Sequence, residues 1–141
     1  MAPQTGKKLA AVLGTGQTKY VAKRKDVSMN GLVREAIDRA LVDAGVTMDD
    51  IDAVVVGKAP DFFEGVMMPE LFMADATGAT NKPLIRVHTA GSVGGSTAIV
   101  ATSLVQSGKY RRVLTMAWEK QSESNAMWAL SIPVPLSLIH I

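Results

Sequence analysis

The chain has 141 residues, of which 48% are apolar and 20% charged. That balance fits one globular domain with its own core and excludes wholesale disorder. The net charge is only +2 and aromatics make up 5%. The basic residues crowd near the N-terminus, at Lys7, Lys8, Lys19, Lys23, Arg24 and Lys25, with only Tyr20 among them. A nucleic-acid groove would interleave stacking platforms, so this stretch reads as a solvated edge. There is no cysteine, hence no disulfide, no thiolate metal site and no cysteine nucleophile within these residues. The polar, basic start MAPQTGKK lacks an apolar signal core, and no apolar run nears the roughly 20 residues that cross a bilayer. A cytoplasmic protein without a membrane span is expected.

In chain order, Leu9 to Leu13 reads as a short buried strand, ended by Gly14-Thr15-Gly16 and followed by a polar loop to Asp26. Ser28 is placed to cap a helix over Met29–Ala44. There Leu32, Val33, Ile37 and Leu41 fall at spacings of three and four with small alanines between them, and Gly45 stands at the stop. The acidic run Asp49, Asp50 and Asp52, read as solvated, leads into a second buried strand, Ala53–Val56. Pro69 opens a helix that continues through Leu71, Phe72 and Ala74 until Gly78. Met67, Met68 and Met73 read as adaptable packing. A third strand covers Leu84–His88. The turn Ala90-Gly91-Ser92-Val93-Gly94-Gly95 then leads into a helix over Ser96–Gln106, apolar nearly all round and so expected to be central and largely buried. A fourth strand, Arg112–Ala117, precedes a polar segment. The order β-α-β-α-β-α-β predicts an α/β fold, a mostly parallel sheet with helices on both faces.

After Trp128 the chain runs ALSIPVPLSLIHI, an unusually apolar ending for a soluble domain. The expectation is a truncated reading frame: residues 1–135 form an incomplete domain and 136–141 are a non-native tail.

Chemistry concentrates at Arg86 to Ile99, where a strand enters a glycine turn that opens a helix. Helix N-termini carry unpaired N–H groups and the positive dipole end, which suit a nucleophile, an oxyanion hole or an anion. Gly91 to Gly95 match neither the dinucleotide fingerprint nor a P-loop, and Gly14-Thr15-Gly16 lacks the third glycine. His88, at the end of the third strand, has no second ligand at metal spacing and reads as a hydrogen-bonded core histidine. No metal site is expected.

Several segments together resemble the N-terminal part of the thiolase superfamily, in the branch of sterol-carrier-protein-type thiolases and bacterial lipid-transfer-protein thiolase-like enzymes. Gly14-Thr15-Gly16-Gln17-Thr18-Lys19-Tyr20 is similar to that branch's opening. Leu32 to Gly45, with Asp49 to Asp52 and Val54-Val55-Val56-Gly57, is similar to its first crossover. Arg86-Val87 with Gly94-Gly95 resembles the segment around the nucleophile, and Val113-Leu114 through Trp118-Glu119-Lys120 resembles a strand that ends in Glu-Lys. The resemblance implies a coenzyme A thioester as substrate, no resident cofactor and a homodimer. It also implies a C-terminal half that supplies the remaining catalytic groups. The family's cysteine nucleophile is missing: the ungapped match puts Gly91 at its position, and a shift of one puts Ser92 there. Ser92 and Gly91 are the candidate catalytic positions; Gly94, Gly95 and His88 are candidate substrate-binding positions. The implied activity is acyl transfer. The alternatives are a retro-aldolase on steroid or acyl-CoA side chains working with a small partner protein, and a non-catalytic lipid-binding or partner subunit.

Overall fold

A computed structural model describes residues 10–58, 65–123, 125 and 127. Helix α1 spans Met29–Ala44, as its spacing predicts. The Ser28 hydroxyl accepts the Gly31 N–H at 3.1 Å. At the other end Gly45 takes the left-handed conformation, φ 64°, and its N–H reaches the carbonyls of Leu41 and Val42, a geometry that a side chain would strain. Met29, Leu32, Val33, Ile37 and Leu41 make the buried face.

Strand β1, Ala53–Gly57, is buried along its whole length. It lies between β2, Leu84–Val87, and β3, Val113–Ala117, parallel to both. Because successive side chains alternate, Val54 and Val56 join Ile37, Leu41 and Met73 on one face. Val55 joins Val87 and Ala101 on the other. Burial of each valine contributes about 2 kcal/mol of transfer free energy. Helix α2 is a four-residue piece, Pro69–Phe72, and the chain then turns through Gly78 at φ 69°. Met73 is buried, whereas Met67 and Met68 are exposed. Helix α3, Val93–Gln106, covers the second face after a single 3-10 turn at Ala90–Ser92.

Two expectations are corrected. Leu9 lies outside the described residues, and Ala10 to Leu13 form no strand; Val12 and Leu13 are 83% and 60% exposed. The segment docks on α1 instead. A Cβ at Gly14 would come within 2.5 Å of Ala44 N, and one at Gly16 would overlap the Ala36 carbonyl oxygen, so glycine permits backbone-to-helix contact. The Thr15 N–H donates to Asp43 at 2.8 Å. Second, α3 is not largely buried: only Val93, Thr97 and Ala101 are, and Ile99 is 68% exposed, because one layer, the sheet, packs on it. The acidic loop is solvated as expected, with Asp49 and Asp52 exposed, and its carboxylates also organise the backbone. Asp50 accepts the Thr47 N–H at 2.9 Å, and Asp52 accepts the N–H groups of Arg111 and Arg112 at 2.7 and 2.9 Å. Smaller shifts are at boundaries: β2 stops at Val87, β3 starts at Val113 and α3 starts three residues early. The expected tail, 136–141, lies outside the described residues.

The acidic contacts have a pH consequence. Backbone N–H groups hold the Asp52 carboxyl below the usual range. The Thr47 N–H does the same for Asp50, and the Arg24 side chain does so for Asp26. Depressed folded-state pKa values stabilise the fold above the unfolded values and lose that contribution as pH falls through the folded ones. The urea midpoint is therefore expected to be level near neutrality and to drop below about pH 4. Asp52→Asn should flatten part of that drop; an unchanged slope in this variant would contradict the assignment.

Candidate functional site at the carboxyl edge of the sheet

Parallel strands bring all their carboxyl ends to one edge, where ligands of open α/β sheets bind. Here that edge carries Gly57 at the end of β1 and Lys58 after it, His88 and the glycine turn after β2, and Trp118-Glu119-Lys120 after β3.

The turn is built by local sequence. Ala90 adopts φ 47°, a left-handed conformation that costs a residue with a Cβ on the order of 1 kcal/mol. Val93 N–H bonds back to the Ala90 carbonyl, which winds the chain into α3. Ser92 is exposed, and its hydroxyl donates to the Thr89 carbonyl at 2.7 Å. The Thr89 hydroxyl in turn donates to Ser96 Oγ at 2.8 Å. The Ser92 proton is thus held by a carbonyl, not by a base. Gly91, Gly94 and Gly95 are exposed too, and a Cβ built on any of them meets nothing within 4 Å. The first turn of α3, with its excess of N–H groups, is therefore open to an approaching group. His88 is exposed, which corrects its reading as a core histidine: β2 ends one residue before it, so its side chain has left the packed layer.

The sequence reading does not single out Lys58. It is 1% exposed, and its Nζ lies 2.8 Å from Glu119 Oε2, an ion pair that ties the ends of β1 and β3. Its signal is a lysine one glycine beyond a run of buried valines. Nearby, Arg86 pairs with Glu70 at 3.0 Å, and the Lys120 ammonium donates to the Val27 carbonyl at 2.9 Å. Charge at this edge is mostly compensated in pairs. Gly57 underlies the edge: a Cβ there would overlap Thr97 Oγ1 and lie 3.0 Å from Val93 Cγ2, so its absence lets α3 sit close on β1. Among the described residues no group of three or more His, Cys, Asp or Glu side chains is placed to hold a metal ion. Nor is any described helix long and apolar enough to cross a membrane.

Comparison with known proteins agrees with this architecture. The model of the thiolase N-terminal domain matches residues 10–133. Acetyl-CoA acetyltransferase of Methanothermobacter thermautotrophicus is 35% identical over 115 residues, covering 80% of this chain and 30% of that protein. Human sterol carrier protein 2 is 28% identical over 116 residues, covering 81% of this chain and 21% of that protein. The chain therefore spans less than a third of the length of either. Among solved structures, the tetronic acid condensing enzyme AbyA1 superposes with a TM-score of 0.62 at 24% identity, covering 81% of this chain and 37% of that one. 3-Oxoacyl-[acyl-carrier-protein] synthase III of Aquifex aeolicus VF5 superposes with a TM-score of 0.61 at 20% identity, covering 72% and 32%. These last two likenesses concern the fold. The parallel β2-β1-β3 sheet, the glycine turn that opens α3 and the match over residues 10–133 place this chain in the thiolase N-terminal domain family.

Proposed function

We propose that the protein to which this domain belongs acts on an acyl-coenzyme A thioester without a thiolate acyl carrier in this domain. In this reading the glycine turn is an electrostatic cradle for the thioester oxygen. The observation that carries it is the open first turn of α3, flanked by Gly91, Gly94 and Gly95 with no side chain over it among the described residues, in a chain without cysteine. Acyl transfer through a covalent thioester needs a nucleophile that Gly91 does not offer and that Ser92, bonded to a carbonyl, is not activated to be. Retro-aldol cleavage needs none. A base takes the β-hydroxyl proton, the Cα–Cβ bond breaks to leave a carbonyl, and its electron pair becomes a thioester enolate that is protonated at Cα. N–H groups at the helix end stabilise the enolate oxygen. A homodimer, a small partner protein and a base from the remainder of the polypeptide belong to the same reading.

The test uses the longer protein with its partner and a β-hydroxyacyl-CoA. Gly94→Val roofs the first turn, with a Cβ that meets no described neighbour within 4 Å, and turnover is expected to fall by about 100-fold or more. Ser92→Ala is expected to cost less than about 10-fold. Abolition of activity by Ser92→Ala, with an acyl-serine trapped in the unmodified protein, would show covalent catalysis instead. Turnover unaffected by Gly94→Val would favour a non-catalytic role for this turn.

A further inference from the structure

A cavity of ≈ 230 Å³ lies at the carboxyl end of β3, against α1. Leu32, Val33 and Ala36 of α1 form one wall, and residues 16–18 another. Met116 of β3, with Trp118 and Glu119 just beyond the strand, completes it. Strand alternation explains this last wall. Leu114 and Trp118 belong to the core cluster that holds Val33 and Ile37, with Met116 packed against it, so the even-numbered residues of this stretch turn towards α1. Helix α3 and its glycine turn pack on the other face, where Ala101 meets Val55. The cavity is therefore separate from the cradle.

Three properties define what it can hold. The first is hydrogen bonding. Trp118 is 8% exposed, and its buried indole N–H has no hydrogen-bond partner among the described residues. An indole N–H can only donate, and buried donors are nearly always paired. The second is charge. Glu119 places its carboxylate 2.8 Å from the Lys58 ammonium, so the pair is already neutral, and the apolar walls penalise any further charge. The third is size. The volume is below the about 300–1,000 Å³ of sites that hold a drug-sized ligand, so one ring or a short branched chain fits. A lone water suits the place less well. A buried water makes about three hydrogen bonds, and the side chains of Leu32, Val33, Ala36 and Met116 offer none.

We propose that this cavity binds a neutral ligand with a compact apolar body and one oxygen acceptor, a small ketone being the simplest case, whose oxygen accepts the Trp118 indole N–H. The site does not rest on the acyl-coenzyme A reading, since it lies on the opposite face of the sheet from the glycine turn.

Nuclear magnetic resonance of the 141-residue chain, with cyclopentanone as the probe, tests this. The chain has two tryptophans, and Trp118→Phe identifies which indole signal belongs to Trp118. In the unsubstituted chain cyclopentanone is expected to move that signal downfield and saturably, with a Kd roughly in the millimolar range for so small a ligand. Cyclopentane, the same ring without the oxygen, should not move it downfield, and cyclopentanecarboxylate should not bind. Followed through the backbone amides of Val33 and Met116, Trp118→Phe should weaken cyclopentanone about 3- to 10-fold, the worth of one hydrogen bond. Ala36→Leu, which fills the cavity from α1, should abolish binding. None of these measurements involves thioester turnover, so the two proposals stand or fall separately. An indole signal unmoved by cyclopentanone at any soluble concentration would mean that the cavity holds water alone. An equal downfield shift with cyclopentane, or unchanged affinity in Trp118→Phe, would mean that the indole N–H is not the contact. Each of these results would overturn the proposal.

Discussion

Gly57→Ala is expected to destabilise the chain by roughly 3 kcal/mol, the upper range for overpacking a buried site. The added Cβ would overlap Thr97 Oγ1 and approach Ala117 Cβ to 3.3 Å. Thr97 cannot swing away cheaply, since it is buried and its hydroxyl donates to the Val93 carbonyl at 2.6 Å. The strain therefore passes to the contact between α3 and β1, which also sets the position of the glycine turn. Thr97→Ala in the same chain removes the obstructing oxygen, and more than half of the lost stability should return. Urea unfolding of the two single variants and the double variant measures this. An unchanged midpoint for Gly57→Ala would mean that α3 does not rest on β1 as described.

Lys58→Met is expected to cost about 3 kcal/mol, because removing one partner of a buried ion pair leaves the other desolvated. Glu119 faces the ammonium at 2.8 Å, with only 19% of its own side chain exposed. Lys58→Met combined with Glu119→Leu replaces both charges with apolar groups and should recover most of the loss. The coupling between the two positions in a double-mutant cycle is the quantity to read. Additive costs would show that the two side chains are held by other neighbours and that the tie between the strand ends is incidental.

Much of the fold was legible in residues because it rests on short-range rules. The spacing of Leu32, Val33, Ile37 and Leu41, with Ser28 before it and Gly45 after it, specified α1 to the residue. The apolar run Ala53 to Val56 between turn signals specified the central strand, and the glycine turn specified where α3 begins to within three residues. The candidate site was half legible. Gly91 to Gly95 marked the turn, but Lys58 did not stand out, because a lysine after a strand is ordinarily solvated. The approach of Glu119, 61 positions away, gives its buried ammonium a charged partner.

What the sequence determined alone is thus local: helix limits, strand cores, the absence of a thiol and the set of motifs that marks the family. Tertiary structure decided who pairs with whom. Ala10 to Leu13 has the composition of a buried strand and still forms none, because a strand is a relation between two segments and no described strand pairs with it. Helix α3 has the composition of a buried helix and stands half open for the same reason: apolar sequence states that a surface is to be covered, and only long-range contacts supply the cover.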